Sequence, residues 1–273
     1  MFSSKLALIC KTYFRIVFAS ARRFFSLEFL GFNFNLFRNN FLRTLDPHTF
    51  RGSYNLEDID LSYNQFLKLD NSGLFKKNPN LKKIKINNNM ISELKMKVIS
   101  VLPLLEHFEA QNNRLLKITG GIMSKAVNLV YADFSNNHLE KIATKAFNQN
   151  IMLKELKINN NRLTTINKKL FSQQTNLITL DMSHNQIKIM NRDSMRNLKM
   201  AKTIDISHNK LTGLTENQFK GLKELVEINL DHNMLDDVPA SVFTNCENLK
   251  FVFMRNNKER VKLFNWLIFN WPI

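Results

Sequence analysis

The apolar residues of this chain alternate with polar ones in short bursts, and each burst returns after a fixed interval. Leu153, Leu156, Ile158, Asn161, Leu163 and Ile166 spell L-x-x-L-x-L-x-x-N-x-L-x-x-L. A shift of 24 residues repeats the pattern as Leu177, Leu180, Met182, Asn185, Ile187 and Met190. Later copies run from Ala201 to Leu214, from Leu225 to Val238 and, in part, from Leu249 to Asn257. Earlier ones run through Leu129 to Asn137, Leu105 to Asn113 and Leu81 to Asn89, and one step of 25 reaches Leu56 to Phe66. The recurring asparagines are Asn64, Asn89, Asn113, Asn137, Asn161, Asn185, Asn209, Asn233 and Asn257. A weaker first copy contains Phe32, Phe37, Asn40, Leu42, Leu45 and Phe50, with Asn35 where an apolar residue belongs.

Period-two alternation predicts one short strand per repeat with an aliphatic inward face. A lone strand cannot bury that face, so the repeats must stack. About ten strands at about 4.8 Å each give a parallel sheet of roughly 45–50 Å. The Asn falls where the chain must turn, and its amide is placed to satisfy backbone groups of adjacent turns as a ladder.

The motif resembles the leucine-rich repeat. The 24-residue length, with a bulky apolar residue ten positions after the Asn at Phe50, Phe147, Phe171, Phe219 and Phe243, is similar to the subclass common in extracellular proteins. The resemblance spans roughly residues 32 to 257 and implies an α/β solenoid. Its form would be a horseshoe, with a concave parallel sheet of about ten short strands and an irregular or helical convex side.

The chain has 273 residues and 44% hydrophobic residues, too apolar for a disordered protein, with 7 Gly and 5 Pro, too few for a collagen-like one. So few glycines fit poorly with phosphate-binding loops. Cys10 and Cys246 cannot make a disulfide framework, and no C-x-x-C pair exists. The net charge of +16, from 39 Lys+Arg against 23 Asp+Glu, invites an anionic partner. Its distribution argues otherwise for the sheet: strand-face positions are near balance. The excess lies in the N-terminal segment and on loops and the outer side, including Lys76, Lys77, Lys168, Lys169, Arg192, Arg196, Lys199, Lys220 and Lys223. Nucleic acid on the concave face is therefore disfavoured.

Residues 1–31 form a basic amphipathic segment, with Phe14, Val17, Phe18, Ala21 and Phe25 at helical spacing opposite Lys11, Arg15 and Arg22. A helix capping the first repeat and a targeting segment both fit; a membrane span does not, for want of about 18 consecutive apolar residues. Residues 32–257 are the solenoid. In residues 258–273 and just before, Asn256, Phe264, Trp266, Leu267 and Trp271 resemble the C-terminal cap of extracellular leucine-rich proteins, but Arg260 and Lys262 replace its C-x-C pair. The expected cap is aromatic and lacks cysteines.

His184, His208 and His232 stand 24 apart and should stack on neighbouring repeats. Alternate repeats lie about 10 Å apart, too far for the three to converge on one tetrahedral ion, so no metal is expected. Asp181, Ser183 and His184 hold the residue types of a hydrolase triad, yet neighbours on a strand point to opposite faces and cannot form its contacts. No enzyme and no cofactor are expected. Cys246 occupies a buried apolar position and should be inert.

The outward strand residues offer the binding surface. His107, Glu109, Tyr131, Asp133 and Glu155 form its most acidic neighbourhood around an aromatic anchor, continued by Lys157 and Asp181. Tyrosine flanked by charge is typical of protein-binding hot spots. Phe251 and Phe253 make a second apolar spot that the C-terminal aromatics could cover. The expectation is non-catalytic recognition of another protein on the concave sheet. The resemblance implies an extracellular or cell-surface place and a part in innate immunity or receptor signalling. The alternative is an intracellular or surface-associated adaptor docking weakly on anionic lipid or polysaccharide through its basic convex side. A poor signal sequence and the lack of an Asn-x-Ser/Thr sequon favour that alternative.

Overall fold

A computed structural model describes residues 37–69, 73–239 and 241–258. The N-terminal segment, Cys10 and the cap residues from Arg260 to Trp271 lie outside them. Within the described residues the chain is a solenoid whose strands run Asp58–Asp60, Lys83–Lys85, His107–Glu109, Tyr131–Asp133, Glu155–Lys157, Thr179–Asp181, Thr203–Asp205, Glu227–Asn229 and Phe251–Phe253. They form one nine-stranded sheet in sequence order, every pairing parallel. The step is one repeat: Leu156 faces Leu180, which faces Ile204. Even the 25-residue step keeps register, Ile59 opposite Ile84.

Each three-residue strand buries its central residue, such as Leu156 or Leu180, and turns the two flanking ones outward. A second layer of two-residue parallel bridges, for example Lys117–Ile118 with Lys141–Ile142, follows the ladder Asn. Between these layers a single core runs without a break from Phe37 to Met254. Phenylalanines fill its wide outer side: Phe50 stacks on Phe75 with ring centroids 5.7 Å apart, and Phe219 on Phe243 at 5.8 Å. Each such side chain stabilises by about 1.5–3 kcal/mol on burial. The return segments are turns, with one four-residue helix, Met96–Ile99, among the described residues. A 24-residue repeat leaves too short a return for a helix that could hold itself together.

The described part of the weak first copy joins the stack, while Phe32 and Asn35 lie outside the described residues. Phe37, Leu45 and Phe50 are buried, and the Asn39 N–H donates to Ser62 O at 2.9 Å.

Candidate functional site on the concave sheet

The turn that ends each strand fixes what the sheet can present. Asn161 shows the arrangement: Nδ2 donates to Phe134 O (3.0 Å), Ile158 O (3.1 Å) and Asn159 O (3.0 Å), while Oδ1 accepts the Leu139 N–H at 2.9 Å. Two of these bonds cross to the preceding repeat. The same four contacts recur at Asn64, Asn89, Asn113, Asn137, Asn185, Asn209, Asn233 and, at the last repeat, Asn257. The residue before each lies in the left-handed region: Tyr63, Asn88, Asn112, Asn136, Asn160, His184, His208, His232 and Asn256 have φ of 51–56°. Asn enters that region more readily than other residues with a Cβ, which explains the Asn doublets and why the turns need no Gly.

Outward side chains of successive strands stand in two rows. One runs Lys83, His107, Tyr131, Glu155 and Thr179; the other runs Lys85, Glu109, Asp133, Lys157 and Asp181. Tyr131 sits at their centre, half-buried. Its hydroxyl donates to Asp133 Oδ2 at 3.3 Å, the Lys157 ammonium lies 5.6 Å from its ring centroid, and the His107 ring is 5.9 Å away. Burial, reinforced by the Asp133 carboxylate, pushes the phenol up to about 12, so it stays a donor. Lys157 is raised by its hydrogen bond to Glu155, at 3.0 Å.

The acidic character expected from the residues is compensated in space. Glu109 lies between Lys83 (3.5 Å) and Lys85 (3.4 Å), and Glu155 is paired to Lys157. Asp133 is buried, its Oδ1 accepting the Ser135 N–H at 2.8 Å. Asp181 likewise accepts the Ser183 N–H (3.0 Å) and Oγ–H (2.7 Å). His107, Glu109, Tyr131, Asp133, Glu155 and Lys157 form one neighbourhood; Asp181 adjoins it beside Lys157. The surface is an ion-paired lattice around one aromatic ring rather than an acid patch.

Beyond this neighbourhood the imidazoles stack. The His184, His208 and His232 ring centroids are 4.1 Å apart in each step, with interplanar angles of 10° and 12°, and Asn256 Nδ2 meets His232 Nε2 at 2.9 Å. Among the described residues no three His, Cys, Asp or Glu are grouped for a metal ion.

A second ladder, on the convex side, escapes a reading based on apolar recurrence. Asn78 Nδ2 donates to Phe50 O (2.9 Å), Asn150 Nδ2 to Met123 O (3.0 Å), Gln174 Nε2 to Phe147 O (2.7 Å) and Cys246 Sγ to Phe219 O (3.2 Å). All four hold one repeat position, multiples of 24 apart, and in other repeats Leu102, Leu198 and Leu222 fill it. Cys246 is thus a half-buried member of this ladder, its thiol pushed up by desolvation.

Among the described residues no helix is long and apolar enough to cross a membrane. Family models described as "Leucine rich repeat" match residues 127–187, 151–211 and 201–258, and one described as "BspA type Leucine rich repeat region (6 copies)" matches residues 29–119. No curated protein matches the chain. Among solved structures, Toll in the Drosophila Toll–Spätzle complex is 18% identical with a TM-score of 0.74, over 81% of this chain and 34% of that one. TLR13 in a complex with single-stranded RNA is 20% identical with a TM-score of 0.71, over 79% and 35%. The plant peptide hormone receptor RGFR1 in complex with RGF2 is 22% identical with a TM-score of 0.66, over 81% and 35%. The chain therefore spans about a third of the length of each of these. With nine parallel strands, an unbroken Asn ladder and family matches over most of its length, the chain belongs to the leucine-rich repeat proteins.

Proposed function

We propose that the chain is a non-catalytic recognition scaffold that binds a protein partner on its concave sheet, at the lattice centred on Tyr131. The observation that carries this reading is Tyr131 itself: a half-buried ring, bracketed by Lys157 and His107, whose hydroxyl remains a donor. A rigid aromatic anchor within a ring of charges is the composition of a hot spot. The pairs Lys83/Lys85–Glu109 and Lys157–Glu155 hold the surrounding charges in place and can exchange partners with an incoming surface. Resemblance to ligand-bound receptor chains supports an extracellular or cell-surface place and a role in immune or peptide signalling.

Partner capture by the parent chain, a Tyr131→Ala/Glu155→Ala variant and a convex Lys168→Glu/Lys169→Glu variant tests the reading. Asp133 is left intact because its carboxylate caps the turn. Loss of capture with the concave variant alone supports it; loss with the convex pair alone refutes it. Appearance of expressed protein in the culture medium checks the extracellular place, and retention inside the cell would contradict it.

A further inference from the structure

Between Arg114 and Lys210 the flank that follows the ladder asparagines carries six Lys and Arg that make no ion pair among the described residues. Arg114, Arg162 and Lys210 each stand one residue after a ladder Asn, as does His138 between them. Their N–H groups donate to Ile91 O, Leu139 O, Ile187 O and Leu115 O at 2.9–3.0 Å, so the positions stack in register. Three residues further on, Lys117 and Lys141 are direct partners across a parallel bridge, both exposed. Like charges placed opposite each other destabilise a sheet. Lys188 adds a sixth cation on the same flank.

Among the described residues none of these six Lys and Arg is in an ion pair, whereas Lys82, Lys83, Lys85, Lys95, Lys157, Lys223 and Lys258 are. In the four residues after each ladder Asn, from Arg114 to Gly213, Glu140 is the only acid. Five consecutive repeats thus present a basic ridge of about 19 Å, whose row after the ladder Asn reads Arg114, His138, Arg162, Gln186 and Lys210, so that its Lys and Arg recur about every 10 Å with Lys117, Lys141 and Lys188 beside them.

We propose that this ridge binds a linear sulfated polysaccharide, its sulfates spaced along the column of cations. Those repeat positions carry no Phe, Tyr or Trp, so bases would find no stacking platform, which disfavours single-stranded nucleic acid. A lipid surface would engage protruding cations broadly, including exposed Lys168 and Lys169 on the convex side, rather than a single ridge. The ridge lies apart from the Tyr131 lattice, and the proposal does not depend on that reading.

Binding of a size-defined heparin oligosaccharide at neutral pH tests it, with a ridge variant (Arg114→Gln, Lys117→Gln, Lys141→Gln, Arg162→Gln) and a convex variant of equal charge loss (Lys76→Gln, Lys77→Gln, Lys168→Gln, Lys169→Gln). Circular dichroism verifies that both fold. The ridge variant should lose about tenfold or more in affinity and show a shallower salt dependence, with the convex variant close to the parent. Equal losses in both variants, or no loss in either, overturn the proposal. So does ridge-dependent binding of a single-stranded oligonucleotide or of anionic vesicles as tight as that of the oligosaccharide.

Discussion

Asn160 and Asn161 are adjacent and chemically identical, yet they serve the turn in different ways. Asn161 spends its amide on four backbone groups, two of them in the preceding repeat. Asn160 is exposed, and its contribution is its backbone, held at φ 52°. Asn161→Ala leaves buried backbone groups unpaired and should cost about 1–3 kcal/mol. Asn160→Gly should be nearly neutral, because Gly takes positive φ freely, whereas Asn160→Val should cost about 1–2 kcal/mol. Urea unfolding of the three variants measures this order; equal effects at the two positions would contradict it. The ladder was legible because one residue type recurs at one spacing. The left-handed position was not, because Tyr63, His184, His208 and His232 share it with Asn and break the recurrence.

At the scale of stacked elements the position of His208 between two stacked imidazoles should make the solenoid sensitive to acid. Desolvation holds His208 below the ordinary imidazole range, helped by repulsion from His184 and His232 and opposed by Asp205 and Asp231. The unfolded chain therefore takes up this proton first. Stability is complete above the unfolded value of about 6.5 and declines as pH falls through the lower folded one. The melting temperature should drop from neutral pH to about pH 5.5, and the drop should shrink in a His184→Asn/His208→Asn/His232→Asn variant that keeps the left-handed turn. An identical drop in that variant would place the acid sensitivity elsewhere. On the opposite side, the desolvated Cys246 thiol, donating to Phe219 O, should react slowly with iodoacetamide in the folded chain and rapidly in urea. Fast native labelling, mapped by mass spectrometry, would contradict that burial. The stacking of the histidines was readable from their spacing. The convex ladder was not, since Asn78, Asn150, Gln174 and Cys246 share geometry without sharing a residue type.

For the molecule as a whole, repetition made the fold plain in advance, while the character of its surface had to come from three dimensions. Strand alternation identifies Tyr131, Glu155 and Lys157 as outward. Only the register across strands places Lys83 and Lys85 around Glu109 and turns an acidic list into a balanced lattice. Among the described residues the excess of positive charge stands largely away from that lattice, part of it on the ridge from Arg114 to Lys210. Lysine footprinting of the chain with its captured partner tests the central claim most directly. Protection of Lys83, Lys85 and Lys157, with Lys76, Lys77, Lys168 and Lys169 still reactive, is the predicted result. Protection of the convex lysines with the concave ones left open would contradict recognition by the sheet.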